Sequence, residues 1–230
     1  PKDTNTVFGP EFRLIHGEGR YTANECGIRY EAGPNTFIQV NSGVCRKLYD
    51  RAVRFAASSG AKVAIDAYSG GGLLTAMLAK TLDRAYGIES VGEAVECADA
   101  LKANNRLEDK MFNICGKVED VLPGLIAEIG AENAFLLVDP PRKGIDRATL
   151  KAILSSGIAK VAMISCNPST MARDVGFLTG ALIEEGNELK KNPAYTGDGL
   201  KGYYEILSVQ PFDMFPQTKH VEVLLCLGRK

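Results

Sequence analysis

Two side chains in the C-terminal half of the chain are of the types that covalent catalysis requires. Cys166 ends the predicted strand 160–166, and Glu222 begins a later apolar strand. A cysteine between a strand end and a helix N-terminus is expected to have a lowered thiol pKa, which favours the nucleophilic thiolate. A lone cysteine is more often structural, so this interpretation depends on its neighbours. Glu222 is typical either of a general base in a partly desolvated site or of a solvated edge residue.

Three further polar residues are candidates to assist this pair. Arg142 follows Asp139-Pro140-Pro141, whose prolines end a strand and shape a rigid loop because they cannot donate backbone hydrogen bonds. The positive charge of Arg142 could stabilise a negatively charged oxygen or orient a carboxylate. Asn167, beside the cysteine, is a candidate substrate contact. His220, close to the glutamate, is either a second candidate base or a structural residue.

A glycine-rich loop further upstream is suited to a nucleotide or nucleoside. The predicted strand 62–69 contains Asp66 and leads into Gly70, Gly71 and Gly72, and Glu89 ends the next strand about 20 residues later. Glycines let the backbone approach a ligand, and such an acid can accept hydrogen bonds from both ribose hydroxyls. A dinucleotide dehydrogenase uses the same features, but its G-x-G-x-x-G pattern would need glycine where Thr75 stands.

The elements that must position these residues alternate along the chain from Lys62 onward. Apolar segments predict strands at 62–69, 84–90, 111–117, 134–140, 160–166, 203–213 and 221–228, with helices at 41–58 and 92–104. Apolar strands separated by helices indicate a mostly parallel sheet covered on both faces. The last two strands are joined by a short loop, which indicates an antiparallel pair at one edge.

We therefore predict an α/β fold: a doubly wound, Rossmann-like sheet of seven strands with an antiparallel terminal strand, typical of S-adenosylmethionine-dependent methyltransferases. Strand-like pieces at 12–17 and 27–33 predict a small N-terminal β-hairpin extension. Residues 1–36 are assigned to this extension, as part of a central domain, and residues 37–230 to the methyltransferase domain.

Composition narrows the class of protein further. The 230 residues carry 27 Lys and Arg against 28 Asp and Glu, and 45% are hydrophobic, which excludes a disordered chain. No apolar run approaches the roughly 18 residues of a membrane helix and no signal peptide opens the chain, so we expect a cytoplasmic protein without membrane contact. The six cysteines form no CxxC pair, so no metal site is expected. Basic residues exceed acidic ones over 1–54 and 139–180, where an anionic partner would bind unless this is ordinary surface variation.

Six segments, in this order and spacing, resemble the RNA 5-methyluridine (uracil-C5) methyltransferases. They are FIQVN (37–41), DAYSGGG (66–72), GIES (87–90), VDPPRKGID (138–146), SCNPSTMARD (165–174) and DMFPQTKHVEVL (213–224). The resemblance covers the chain from about residue 5 onward. It implies that Cys166 is the nucleophile, that Glu222 accepts a proton, and that Gln39, Tyr68, Glu89 and Asp139 bind S-adenosylmethionine. We expect Asp66, Gly70 and Gly72 to belong to the same cofactor site.

The resemblance also implies an RNA substrate. The DMFPQTKHVE segment is more similar to the 23S ribosomal-RNA branch than to the tRNA branch, so 23S rRNA is the expected substrate and tRNA the alternative. Leu73 stands where the family has a small polar residue. Family members carry an N-terminal oligonucleotide-binding barrel and some an iron–sulfur cluster, neither of which is expected in these residues. We interpret the chain as a monomeric catalytic piece of a longer protein.

Three other functions compete with this interpretation. An amine or carbon methyltransferase would leave Cys166 incidental, but enzymes that methylate exocyclic amines carry an aromatic residue where Arg142 stands. A non-catalytic RNA-binding module could keep the same fold, although Cys166, Glu222 and Asp139 are all present. NAD-dependent oxidoreduction lacks the full glycine pattern.

Overall fold

The computed structural model describes residues 13–19, 21–33, 39, 41–186, 188–197 and 199–230. Its strands are β1 (Tyr21–Glu25), β2 (Ile28–Ala32), β3 (Val63–Ala67), β4 (Arg84–Glu89), β5 (Met111–Cys115), β6 (Ala134–Val138), β7 (Lys160–Ser165), β8 (Leu182–Glu185), β9 (Glu188–Lys191), β10 (Tyr204–Phe212) and β11 (Glu222–Arg229). Its α-helices are α1 (Ser42–Ala57), α2 (Leu73–Thr81), α3 (Gly92–Asn104), α4 (Val118–Ile129), α5 (Arg147–Ser156) and α6 (Pro168–Leu178).

Seven of these strands form the predicted sheet, in the order β10-β11-β7-β6-β3-β4-β5. The pairs β3–β4, β4–β5, β3–β6 and β6–β7 are parallel, whereas β11 is antiparallel to both β7 and β10. The doubly wound sheet with a reversed strand is therefore confirmed. The parallel strands end at one common edge, which brings the loops after β3, β4, β6 and β7 together.

Two apolar cores cover the faces of this sheet. Alternate residues of a strand point to opposite faces, so Ala64 packs in the core that contains α1, α2 and α3, and Ile65 packs in the core that contains α4, α5 and α6. All five residues of β6 are buried, as expected for a central strand of a parallel sheet. This burial holds the strand ends, and the side chains that follow them, in fixed positions.

The N-terminal hairpin is formed by β1 and β2, which pair antiparallel across the turn at Cys26 and Gly27. The prediction of a strand at 12–17 is wrong for the described residues 13–17, because the chain bends at His16 and Gly17, where φ is +84°. Residue 12 lies outside the described residues. The hairpin is tied to the rest of the chain by hydrogen bonds between Arg29 and Asn105.

The hairpin formed by β8 and β9 was not predicted from the sequence. Its strands read LIEE and ELKK, so they lack the alternation of apolar and polar residues by which a half-buried strand is recognised. The pairing is stabilised by the backbone ladder and by an ion pair of 3.0 Å between Lys190 and Glu185. None of the helices in the described part of the chain is long and apolar enough to span a membrane.

Candidate active site

A cavity of about 430 Å³ lies where the parallel strands end. Of the twelve residues proposed from the sequence as catalytic, cofactor-binding or substrate-binding, eight line it: Gln39, Asp66, Tyr68, Gly70, Asp139, Arg142, Cys166 and Glu222. The remaining four, Gly72, Glu89, Asn167 and His220, are not among its lining residues. The fold thus brings the two candidate catalytic residues and most of the candidate cofactor residues to one cavity, which we call the main cavity.

Cys166 follows the last residue of β7 directly and is half-buried. Burial raises the pKa of its thiol, and the nearby Glu222 raises it further, while a hydrogen bond from Arg142 and its positive charge act in the opposite direction. The expectation of a lowered thiol pKa is therefore wrong for the chain without ligands. Desolvation and a neighbouring carboxylate together outweigh the arginine.

We expect iodoacetamide to label Cys166 slowly at neutral pH, with a rate that rises as the pH passes above the ordinary thiol range, because the thiolate is the reactive form. Glu222→Gln removes a negative neighbour, so the midpoint of the rate–pH curve should move to lower pH. Arg142→Gln should move it to higher pH. Mass spectrometry of the peptide that contains Cys166 measures each rate.

Cys115 provides an internal control for this experiment. It is exposed at the end of β5, outside the main cavity, so neither substitution should change its rate of labelling. A midpoint for Cys166 below the ordinary thiol range, or one that does not move in Glu222→Gln, would contradict the proposed interaction between the thiol and the carboxylate.

Glu222 is the first residue of β11, and only 4% of its surface is exposed. Burial raises the pKa of its carboxyl to about 7, with a further contribution from Asp139 and an opposing one from Arg142. A carboxyl with this pKa is half ionised near neutral pH and becomes a competent proton acceptor as the pH rises through 7. Such a value is close to the optimum for a general base at cellular pH.

The backbone of Arg142 is held by two hydrogen bonds that its carbonyl oxygen accepts. The Asn167 side chain donates to this carbonyl at 3.0 Å, and the Thr170 hydroxyl donates to it at 3.2 Å. Asn167 also caps α6 by accepting a hydrogen bond from the Ser169 backbone at 3.2 Å. Its amide is thus engaged locally, and it fixes the loop after β6 beside the turn that carries Cys166.

His220 is exposed, and its ring packs edge-on against Phe215 with the ring centres 6.2 Å apart. Its backbone N–H donates to the Thr218 hydroxyl at 3.1 Å. Phe215, not His220, is the member of this pair that lines the main cavity. The placement favours a structural role for His220 in the loop between β10 and β11.

The glycine-rich loop turns sharply after β3. Tyr68 has φ of +66°, which is unusual for a residue with a side chain, and its hydroxyl donates to Asp146 at 3.3 Å. Gly72 precedes α2 with φ of +80°, and a Cβ there would lie 2.7 Å from Met111 Cε and 2.8 Å from Ala98 Cβ. Only glycine fits at position 72, so its role is to let α2 pack closely against α3 and β5.

Glu89 ends β4, and its carboxylate holds two loops: the glycine-rich loop after β3 and the turn before α3. One carboxylate oxygen accepts from the Gly70 backbone at 3.1 Å, and the other accepts from the Val91 backbone at 2.8 Å. This arrangement joins the glycine-rich loop to the start of α3. Although Glu89 does not line the main cavity, it lies at the strand end where the sequence predicts a ribose contact.

Two acids face the main cavity: Asp66 of β3, which is buried, and Asp139 at the end of β6, which is half-buried. Burial raises the pKa of Asp66 to about 7, although the Thr75 hydroxyl donates to it at 2.6 Å. Burial alone raises the pKa of Asp139 to about 7. Carboxyls held in this way become ionised more readily when a cationic group binds beside them.

Gln39 places an unpartnered acceptor beside these acids. Its side chain hydrogen-bonds to Tyr49 of α1, while its Oε1 atom is buried and has no partner among the described residues. Leaving a buried carbonyl unsatisfied is costly, so the position suits a ligand that donates a hydrogen bond. An ammonium group would match both Gln39 and the two acids.

The sequence interpretation missed two parts of the site. The hairpin contributes Glu25, Tyr30 and Glu31 to the wall of the main cavity. A second cavity of about 310 Å³ shares Tyr68 and Pro141 with the main cavity and continues between Ile88 and Val118. Segment 116–118 follows β5 directly and lies at the same sheet edge. This position in the sequence could have indicated the second cavity.

Residues 130–183 match the family described as tRNA (uracil-5-)-methyltransferase. An uncharacterized RNA methyltransferase of Enterococcus faecalis is 34% identical over 229 residues, and one of Halalkalibacterium halodurans is 36% identical over 231 residues. Each alignment covers 100% of this chain but 45% of the relative, so the chain spans about half the length of the curated relatives it matches.

Solved structures show the same fold. A tRNA (uracil-54, C5)-methyltransferase of Pyrococcus abyssi, in complex with S-adenosyl-L-homocysteine, has a TM-score of 0.69 and 24% identity, covering 98% of this chain and 48% of that one. The tRNA m1G37 methyltransferase of M. jannaschii has a TM-score of 0.59 and 15% identity, and the match covers 95% of this chain and 60% of that one. The fold is therefore that of Rossmann-like methyltransferases.

Proposed function

Because the chain belongs to the RNA uracil-5 methyltransferase family, we propose that it transfers a methyl group from S-adenosylmethionine to C5 of a uridine in RNA. The observation that carries this proposal is the meeting of Cys166, Glu222 and Arg142 in one cavity with the acids Asp66 and Asp139. A thiol, a base of near-neutral pKa and a cation are the groups that methylation of an unactivated pyrimidine carbon requires.

The lining residues fit the proposed cofactor. When bound, S-adenosylmethionine supplies a methyl group on a positively charged sulfur. Gln39, with its unpartnered Oε1, and Asp139 would hold the amino-acid end. Glu89, which ends β4 outside the cavity lining, would hold the ribose. The second cavity, between Ile88 and Val118, offers apolar surface for a nucleobase. The main cavity is rich in carboxyls, which favours a cationic ligand.

Cys166 performs the first step on the substrate. Its thiol loses a proton to solvent, and the sulfur adds to C6 of uracil, forming a C6–S bond and an enolate whose electron pair reaches C5. Arg142 favours the thiolate and lies where it can stabilise the enolate oxygen. Bound S-adenosylmethionine would supply the methyl carbon to which C5 bonds, and the electron pair of the broken C–S bond would stay on its sulfur.

Glu222 completes the reaction by removing the C5 proton. The C5–H electron pair then restores the C5–C6 double bond, the C6–S bond breaks, and the thiolate of Cys166 is regenerated. The carboxyl of Glu222 must be ionised for this step, so the step is favoured as the pH rises through about 7. The target uridine must leave its base stack to expose both ring faces, which favours a loop or an extruded base.

We propose 23S rRNA as the substrate, on the strength of the DMFPQTKHVE segment. A second candidate is tRNA, because the matching family is that of tRNA (uracil-5-)-methyltransferases and the Pyrococcus abyssi neighbour is a tRNA (uracil-54, C5)-methyltransferase. We also propose that the chain acts as a cytoplasmic monomer and that residues 37–230 form the methyltransferase domain. The hairpin within 1–36 lines the main cavity and so contributes to the same site.

The direct test is incubation of the chain with isotopically labelled S-adenosylmethionine and unmodified transcripts of 23S rRNA or tRNA. Nuclease digestion and mass spectrometry should detect labelled 5-methyluridine from one of the two RNAs. Labelled methyl on any other nucleoside would contradict the proposed reaction. Labelled 5-methyluridine from tRNA alone would contradict the proposed substrate while leaving the reaction intact.

A further inference from the structure

A groove of about 280 Å³ lies outside the main cavity, between the loop after β6, the first residues of α5 and the middle of α6. Its charged lining consists of Lys143, Arg147 and Arg173, together with Asp146. We call it the basic groove. It lies within the segment 139–180, in which the sequence carries an excess of positive charge.

The acidic residues around the basic groove are already occupied. Asp146 accepts from the Thr149 backbone at 2.8 Å and from the Thr149 hydroxyl at 2.6 Å. Asp174 is 1% exposed, and it accepts from the Ile145 backbone at 2.8 Å and from Arg173 at 2.7 Å. The carboxylate of Glu184 interacts electrostatically with Arg147, but it forms an ion pair with Lys151 at 2.6 Å. The positive charge of the groove is therefore only partly neutralised from within the chain.

The two arginine side chains of the groove are held in place by the fold. Arg173 donates to the Lys143 carbonyl at 3.0 Å, which ties α6 to the loop after β6. Gly144, with φ of +81°, packs so closely that a Cβ there would lie 2.5 Å from Asp174 Oδ2. The guanidinium of Arg147 lies over the Phe177 ring, 5.8 Å from its centre. Cations held in this way lose little freedom when an anion binds.

The basic groove adjoins the site of the proposed chemistry. Lys143 directly follows Arg142, and Arg142 lines the main cavity with Cys166. Two consecutive cations of the same loop therefore line different sites: Arg142 lines the main cavity and Lys143 lines the basic groove. A polymer with one base in the main cavity would have its neighbouring backbone within reach of this loop.

We propose that the basic groove binds a backbone phosphate of the RNA strand on one side of the target uridine, with Lys143 and Arg147 as its ligands. The inference rests on the proposed function, since it takes RNA as the substrate. RNA is favoured over other anions because the groove continues from a cavity suited to a base. Phosphate contacts of this kind fix the register of a strand without reading its sequence.

The test measures RNA binding in the absence of cofactor, by fluorescence anisotropy of a labelled single-stranded uridine-containing RNA over a range of salt concentrations. Each phosphate contact to single-stranded nucleic acid contributes about 0.7 to the slope of log K against log salt, which corresponds to about fivefold in affinity at 0.1 M salt. Lys143→Gln and Arg147→Gln should each weaken binding by about fivefold and reduce the slope by about 0.7.

Lys110→Gln is the matched control. Lys110 is exposed just before β5, at the opposite edge of the sheet, so the same loss of charge there should leave affinity and slope unchanged. Thermal unfolding of each variant checks the fold. Because Lys143 is exposed, Lys143→Gln is expected to fold and provides the test even if Arg147→Gln is unstable.

Three outcomes would overturn the inference, and they are distinguishable. If the parental chain binds RNA and both groove variants bind it with the parental affinity and slope, the basic groove is not a phosphate site and the proposed function stands. If the parental chain binds no RNA and transfers no label to any transcript, the proposed function fails and this inference fails with it. A parental chain that methylates RNA without measurable binding also overturns the inference.

Discussion

Replacing Cys166 by alanine is expected to abolish methyl transfer to RNA, with a loss of turnover of roughly 10⁶-fold, as is typical when a covalent nucleophile is removed. Uracil C5 is a poor nucleophile until sulfur has added to C6. In RNA that contains 5-fluorouridine, fluorine replaces the proton that Glu222 would remove, so the adduct persists. The parental chain should give a covalent complex on a denaturing gel when the cofactor is present, and Cys166→Ala should give none.

Cys45 is the appropriate control because it also lines the main cavity. It is only 1% exposed, and burial raises the pKa of its thiol to about 12, so its thiolate is far scarcer near neutral pH. Cys45→Ala should therefore retain the covalent complex. A complex that survives in Cys166→Ala and disappears in Cys45→Ala would assign the nucleophile to Cys45 and overturn the proposed role of Cys166.

Replacing Glu222 by glutamine is expected to lower turnover by roughly 10²–10⁴-fold, the usual contribution of a general base. The amide keeps the size of the side chain but cannot accept the C5 proton. It also removes the negative charge that raises the pKa of Cys166, so addition to C6 is not slowed. An RNA with ordinary uridine should then accumulate in covalent linkage to the protein, carrying the transferred methyl group.

Labelled methyl in a protein–RNA band, after quenching with denaturant, measures this intermediate. Glu205→Gln is a matched control, because Glu205 lies on the adjacent strand β10 with an exposed side chain. It should show parental turnover and no accumulated complex. Parental turnover by Glu222→Gln would show that another group removes the proton.

The positions of the site residues could be predicted because they depend on strand order. Cys166 and Asp139 follow strand ends, and parallel strands end at one edge, so their proximity follows once the strands are recognised. Glu222 begins an antiparallel strand, β11, which runs beside β7 and therefore starts at the same edge. This reversal places Glu222 beside Cys166.

Properties that depend on side-chain surroundings could not be predicted in the same way. The thiol of Cys166 was expected to have a lowered pKa from its place in the sequence, but burial and the charge of Glu222 raise it. The contribution of Tyr30 to the main cavity depends on how β2 packs against the domain, and no local pattern specifies that packing. Long-range packing, unlike strand order, leaves little trace in a single sequence.

The raised thiol pKa of Cys166 also has a consequence for the durability of the proposed nucleophile. Oxidation to sulfenic and then to irreversible sulfinic acid proceeds through the thiolate, so a nucleophile that is protonated at rest is protected from oxidants. Glu222, which suppresses the thiolate, is also the group proposed to remove the C5 proton. One carboxylate would thereby both preserve the reactive sulfur between turnovers and complete each turnover.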